Sequence, residues 1–318
     1  MDESVRKASF WRVYQAELLI ILVGVGCAGA IFVAKALLKI DLQAAGEIGS
    51  FVGGCVGALF ALGGVALLLS TLRTQQSALQ LQTSSLRLQS FESRYFELIK
   101  LHRDNVSELE VGHTAHNPGV TGRKVFVWLL REFRCLLGIV REVAEICGQS
   151  LSNEQLLQVA YYCLFFGVGA NSSRMLKISL SEFDPKFVDA VEAKVNDDST
   201  KQRIRVERKL PYMPFDGHQS RLGHYYRHLY QMISYVDQQP SDLGIDKYEY
   251  VKTMRAQLST HEQAMLLINS RTPVGKNWWK KGLIENYYLV KNIPPKFFTE
   301  SEIDLTKLFK PGYFEWED

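Results

Sequence analysis

Between Ile48 and Leu72 the chain runs for 25 residues without a charged side chain. A helix rising 1.5 Å per residue needs about 20 residues to cross a hydrocarbon layer of about 30 Å. A second uncharged run, Leu18 to Ala34, precedes it, with Lys35 placed to snorkel from its end. The connection "LLKIDLQAAGE" is short. The spacing predicts two spans, about 18–38 and 48–72, folded as a transmembrane hairpin. Arg6, Lys7 and Arg12 also give the first run the basic leader of a signal peptide, but its length and the span directly behind it favour retention. Lys35 and Lys39 are the only cations of the connection, against Arg6, Lys7 and Arg12 on one flank and Arg73, Arg87 and Arg94 on the other. This bias places both termini in the cytoplasm.

The second run is rich in glycine, with seven of nineteen residues from Gly46 to Gly64. Glycine disfavours a helix in water by about 1 kcal/mol relative to alanine. In lipid the helix is enforced, because an unpaired backbone group has no water to bond. Gly49, Gly53, Gly57 and Ala61 follow at intervals of four, and Ser50, Gly54 and Ala58 form a row beside them. Small residues on one face let two backbones approach closely. The rows suit packing between the two spans of one hairpin, and equally packing between subunits of a homo-oligomer in the bilayer. Neither run contains Asp, Glu, His or Arg, which argues against a proton relay or an ion-coupled transporter.

The rest of the 318 residues is more polar, and the net charge of +3 gives no general nucleic-acid footprint. The stretch from Arg73 to His102 has no Gly or Pro and repeats Leu72, Leu79 and Leu86 at intervals of seven. It reads as a helix continuing out of the membrane, with a coiled-coil stalk as one option. Apolar residues at helical spacing mark "GRKVFVWLLREFRCLLGIVREVAEICG", ended by Gly148, and "RLGHYYRHLYQMISYV". Ser152 with Gln155, and Ser259 with Glu262, have capping-box spacing. "GLIENYYLVKNIPP" reads as a helix ended by its proline pair, and "QRIRVERKLPYMPF" reads as extended. Cys27, Cys55, Cys135, Cys147 and Cys163 include no CxxC pair and read as small buried hydrophobes. The expected fold class is an all-α membrane protein. It comprises a hairpin (1–72), a helical stalk (73–110) and a mainly helical cytoplasmic domain (111–318) with a small β element.

There is no P-loop, dinucleotide fingerprint, HExxH or GxSxG, so no cofactor is expected and no small-molecule substrate is evident. Arg221, His224, His228 and Gln231 form a polar stripe opposite an aromatic face. His224 and His228 have metal-ligand spacing without an evident third ligand beyond His218, so no metal is expected. Arg221 and His228 resemble the RX4-6H motif of HEPN ribonucleases, with Leu222 where that motif usually has a polar residue. The plainer reading is a hydrogen-bonded network tying this helix to its neighbours. Lys201, Arg203, Arg205, Arg208 and Lys209 suit either phosphate contact or a solvated face.

Two apolar runs, then "FESRYFELIKLH", "GRKVFVWLLREF", "GHQSRLGHYYRHLYQMISYV" and "YVKTMRAQLSTHEQAMLLIN", resemble the AbiC-like phage abortive infection family. The resemblance runs from about Phe91 to about Pro295. It is most specific in "GHYYRHLYQ" and "RAQLS". It implies anti-phage defence at a bacterial inner membrane by a toxic effector. Proteins of this kind include two-span effectors of retrons, held in check by a reverse transcriptase and its RNA–DNA product. The resemblance carries no catalytic residues. His224, Arg227, His228, Gln231, Arg255, Arg203 and Arg205 are the candidate regulatory or partner-binding residues. A non-enzymatic membrane-breaching effector is the leading expectation. The alternatives are a membrane-tethered ribonuclease using Arg221 and His228, and a membrane-anchored binding module without toxicity.

Overall fold

The structure, a computed structural model, describes residues 42–113, 119–169, 172–299 and 301–317, with residues 19, 22–26, 29, 30, 32, 33 and 36. About half of the first expected span, Cys27 included, lies outside the described residues. The chain divides into two compact units, Met1–Arg87 and Leu88–Asp318.

Helix α1 runs unbroken from Leu42 to Ser107. The expected second span and stalk are therefore one helix. From Gly46 to Ser107 it is long and apolar enough to cross a membrane, with a mean hydropathy of 2.2 over its most apolar stretch, none of which is buried. A methyl group built on Gly49, Gly53, Gly54 or Gly57 meets no atom within 4 Å, whereas one on Gly24 would strike the Phe60 ring. Among the described residues, those four glycines thus have open space on their faces. Leu72, Leu79 and Leu86 are exposed, and so is Cys55, which is not the buried hydrophobe its sequence context suggested.

In the second unit the last turns of α1 bury Phe91, Tyr95, His102 and Val106. Tyr95 Oη donates to the Tyr250 carbonyl at 2.5 Å, and Tyr250 Oη donates to Glu92 Oε1 at 2.8 Å. A two-stranded antiparallel ladder follows, β1 (Glu110–Val111) with β2 (Val120–Thr121). Helix α2 (Lys124–Ile146) buries an apolar stripe from Val125 to Val143, and Gly148, at φ +64°, ends it as expected. Helix α3 (Asn153–Phe166) packs along α2 and buries every residue from Val159 to Phe165. Helices α4 (Ser173–Ser179), α5 (Pro185–Asn196) and α6 (Asp198–Glu207) come next. Then follow α7 (Gln219–Asp237), α8 (Lys247–Arg255) and α9 (Thr260–Ser270), the last buried from Glu262 to its end. The short α10 (Asn277–Lys280), α11 (Leu283–Asn286) and α12 (Leu305–Leu308) complete the unit.

Both expected capping boxes are present. Ser152 Oγ accepts from Gln155 N at 3.2 Å, and Gln155 Oε1 accepts from Ser152 N at 2.9 Å. Glu262 Oε2 likewise accepts from Ser259 N at 2.8 Å. Two readings need correction. Residues 202–207, the first part of the segment expected to be extended, belong to helix α6. Ile204 and Val206 alternate like strand residues, but Asp197 caps the helix through Thr200 N at 2.8 Å, and Val206 is exposed. The β element is instead at 110–121. The segment from Gly282 supports only four helical residues, because Tyr288 takes φ +51° before the proline pair is reached.

Candidate functional site

The 19 residues of α7 repeat apolar positions at intervals of three and four, and Leu222, Tyr225, Tyr226, Leu229, Ile233 and Val236 are all buried. That commitment leaves His224, Arg227 and Gln231 exposed on the other side. The first turn of α7 borders a cleft of about 1060 Å³. One wall comes from 105–113 at the end of α1 and β1, the other from Arg205, Tyr212, Asp216, His218, Ser220, Arg221 and His224.

Behind this cleft stands a buried carboxylate. Glu132 of α2 is fully buried. It accepts from Tyr212 Oη at 2.7 Å and from Phe215 N at 2.7 Å, and its Oε2 lies 3.0 Å from His218 Nε2. Burial pushes this carboxyl up, but the charge and hydrogen bond of His218, with the Tyr212 hydroxyl and the Phe215 N–H, outweigh it. The net effect holds Glu132 below the ordinary carboxylate range. Burial in turn pushes the Tyr212 hydroxyl far up, reinforced by Glu132. The segment entering α7 is thereby fixed to α2. At its bend Gly217 lies so close to the Phe166 carbonyl that no side chain fits, and its φ of +87° suits only glycine.

A second fully buried carboxylate, Glu262, accepts from Ser259 Oγ at 2.6 Å and from Tyr225 Oη at 3.3 Å. Arg123 Nε stands 3.8 Å away. The middle of α7 is thereby tied to the start of α9. Further along, His228 Nε2 lies 3.2 Å from the Leu98 carbonyl of α1. Burial, with the charge of His224, lowers the His228 imidazole below its ordinary value. The neighbouring His102, 6.1 Å from it between ring centres, is 2% exposed, and among the described residues neither ring nitrogen has a hydrogen-bond partner. Burial, then His228 and Arg123, pushes His102 down to about 4.

The residues singled out in the sequence therefore separate. Arg221, His224 and Arg205 meet at the cleft, with His218. His228 does not line it and is engaged by α1. Arg203 is exposed and pairs with Glu207 at 3.5 Å. Arg255 is buried and donates to the Tyr287 and Tyr288 carbonyls at 3.1 and 3.0 Å, so its guanidinium is part of the core. Among the described residues, no group of three His, Cys, Asp or Glu side chains is arranged to hold a metal ion. Glu132 and Tyr212 escaped the sequence reading. The signal was present: Glu132 occupies the buried position between Leu129 and Leu136 at intervals of three and four, where a carboxylate demands partners.

Residues 217–298, from the bend before α7 to just beyond the proline pair, match a family model described as "Putative phage abortive infection protein". No curated protein and no solved structure gives a match. The matched segment contains His218, Arg221 and the whole of α7 through α11. The match supports a general role in anti-phage defence.

Proposed function

We propose that the chain is an abortive-infection effector anchored in the bacterial inner membrane. In this reading it is non-enzymatic and damages the bilayer when its second unit is released from a partner. The observation that carries this reading is α1. One helix holds both an unburied stretch of hydropathy 2.2 and the buried anchors Phe91 and Tyr95. The open faces of Gly49, Gly53 and Gly57 support close packing of α1 against α1 in a homo-oligomer. The contact of Gly24 with Phe60 supports a hairpin with the first span and, with the cation bias of the flanks, cytoplasmic termini. Control falls to the exposed face of α7, where His224, Arg227 and Gln231 offer hydrogen bonds and charge to a partner. By the family resemblance that partner is a reverse transcriptase carrying its RNA–DNA product.

The test expresses the chain alone and follows membrane potential and RNA integrity in the same cells. Depolarisation with intact RNA is expected. RNA cleavage preceding any loss of potential would replace this reading with the ribonuclease. Growth without either would leave a non-toxic binding module.

A further inference from the structure

The geometry of the cleft points to a binding site for a free nucleoside phosphate, its phosphate seated at the first turn of α7. Four observations converge there. The first N–H groups of a helix have no intrahelical acceptor and attract anions, and at α7 no side chain caps them. Arg221, half-buried in the same turn, makes no ion pair or hydrogen bond among the described residues. Among the described residues Arg205 reaches only the Met213 sulfur at 3.8 Å, a weak acceptor. His218, the residue before the helix, is 4% exposed and lines the cleft, and its buried Nδ1 has no hydrogen-bond partner among the described residues. Such an atom is ordinarily satisfied by protein, water or ligand. Together these groups form an anion seat that no described residue fills.

The remaining walls define the rest of the ligand. Glu108, Glu110 and Asp216 also line the cleft, and Glu110 is occupied by His113 at 2.7 Å. Carboxylates reject a second phosphate and accept N–H and O–H groups. A polynucleotide, with a phosphate on every unit, would bring charge against them. A single nucleoside phosphate presents its anion to Arg221 and its ribose hydroxyls and base amines to the acids. The cleft, at about 1060 Å³, has room for a molecule of that size. This inference rests on the cleft alone and stands apart from the membrane reading.

The full chain in detergent, titrated calorimetrically with AMP, ATP and inorganic phosphate, tests it. Saturable binding of AMP is expected, with inorganic phosphate and ATP weaker. Arg221→Ala should weaken binding about tenfold or more, since it removes a charge-assisted contact. Ser220→Asp places a carboxylate in the seat and should abolish binding. The same change suits the helix N-terminus, so its melting temperature without ligand should equal or exceed that of the unaltered chain. Lys186→Ala, an exposed cation outside the cleft, should bind normally. No saturable heat with any of the three ligands would overturn the assignment, as would unchanged affinity in both cleft variants. Binding of a single-stranded oligonucleotide but of no mononucleotide would overturn it in favour of a polymer.

Discussion

Removing the Glu132 carboxylate should cost more stability than any single exposed charge in the second unit. Glu132→Ala leaves the Tyr212 hydroxyl, the Phe215 N–H and the His218 ring buried without their acceptor, at the entry to α7. Breaking a buried charged pair by removing one member costs about 3–5 kcal/mol. For a unit of this size, Leu88–Asp318, each kcal/mol shifts the midpoint by about 2–4 °C, so a fall of about 6–20 °C follows. Glu132→Gln keeps the volume and one acceptor and should fall between, at about 1.5–3 kcal/mol for the lost charge-assisted bonds. Trp278, 3% exposed, provides a core fluorescence signal for the melt. The acid side gives an independent check. The folded carboxyl lies below its ordinary value of 4.5, so the stability it contributes is present above that value and lost as pH falls through the folded one. The gap between the unaltered chain and Glu132→Gln should therefore close on acidification below that range. A melt of Glu132→Ala within about 2 °C of the unaltered chain, against the expected several kcal/mol, would refute the reasoning. So would a stability gap that persists undiminished into strong acid.

Three further outcomes are expected. His228→Ala removes the bond to the Leu98 carbonyl and should lower stability by about 0.5–1.5 kcal/mol. If RNA cleavage is lost while the melt is unchanged, the residue is catalytic instead. Gly53→Leu and Gly57→Leu fill the open faces of α1 and should abolish toxicity in cells, with the protein still in the membrane fraction and its Trp278 melt intact; full toxicity in both would remove the packing model. In a cysteine-free background, Gln43→Cys should be labelled by an impermeant maleimide outside intact cells and Lys100→Cys should not, and the reverse pattern would invert the topology.

Local patterns were legible where one segment supplies its own partners. Ser259 and Glu262 predict a helix start from their spacing, and the start is at Thr260. The α7 stripe predicts six buried residues, and all six are buried. The same reasoning misread α6, because Ile204 and Val206 fit a period of two as well as a fragment of a longer period, and Asp197 decides between them. The Glu132 network was hidden for a different reason. Its partners Tyr212 and His218 lie 80 and 86 positions away, joined only after α2 and the segment before α7 pack. The two-residue strands are too short to show alternation at all.

These attachments define what α7 can do. Its start is fixed through Glu132 to α2, its middle through Tyr225 and Glu262 to α9, and its far side through His228 to the backbone of α1. A helix held at three levels cannot shift at one without straining the others, since packed interiors do not deform continuously. Pressure applied to the exposed side, at His224, Arg227 or Gln231, must therefore be met at the Leu98 turn of α1 as well as at the cleft. Inside the second unit α1 and the residues matched to the abortive-infection family are joined by three hydrogen bonds: His228 with the Leu98 carbonyl, Tyr95 with the Tyr250 carbonyl, and Tyr250 with Glu92. The His228 bond taken by itself contributes about 0.5–1.5 kcal/mol. In the proposed reading a bond of that strength suits a connection that a partner's binding makes or breaks, whereas the buried carboxylates Glu132 and Glu262, each with several partners, hold the unit together.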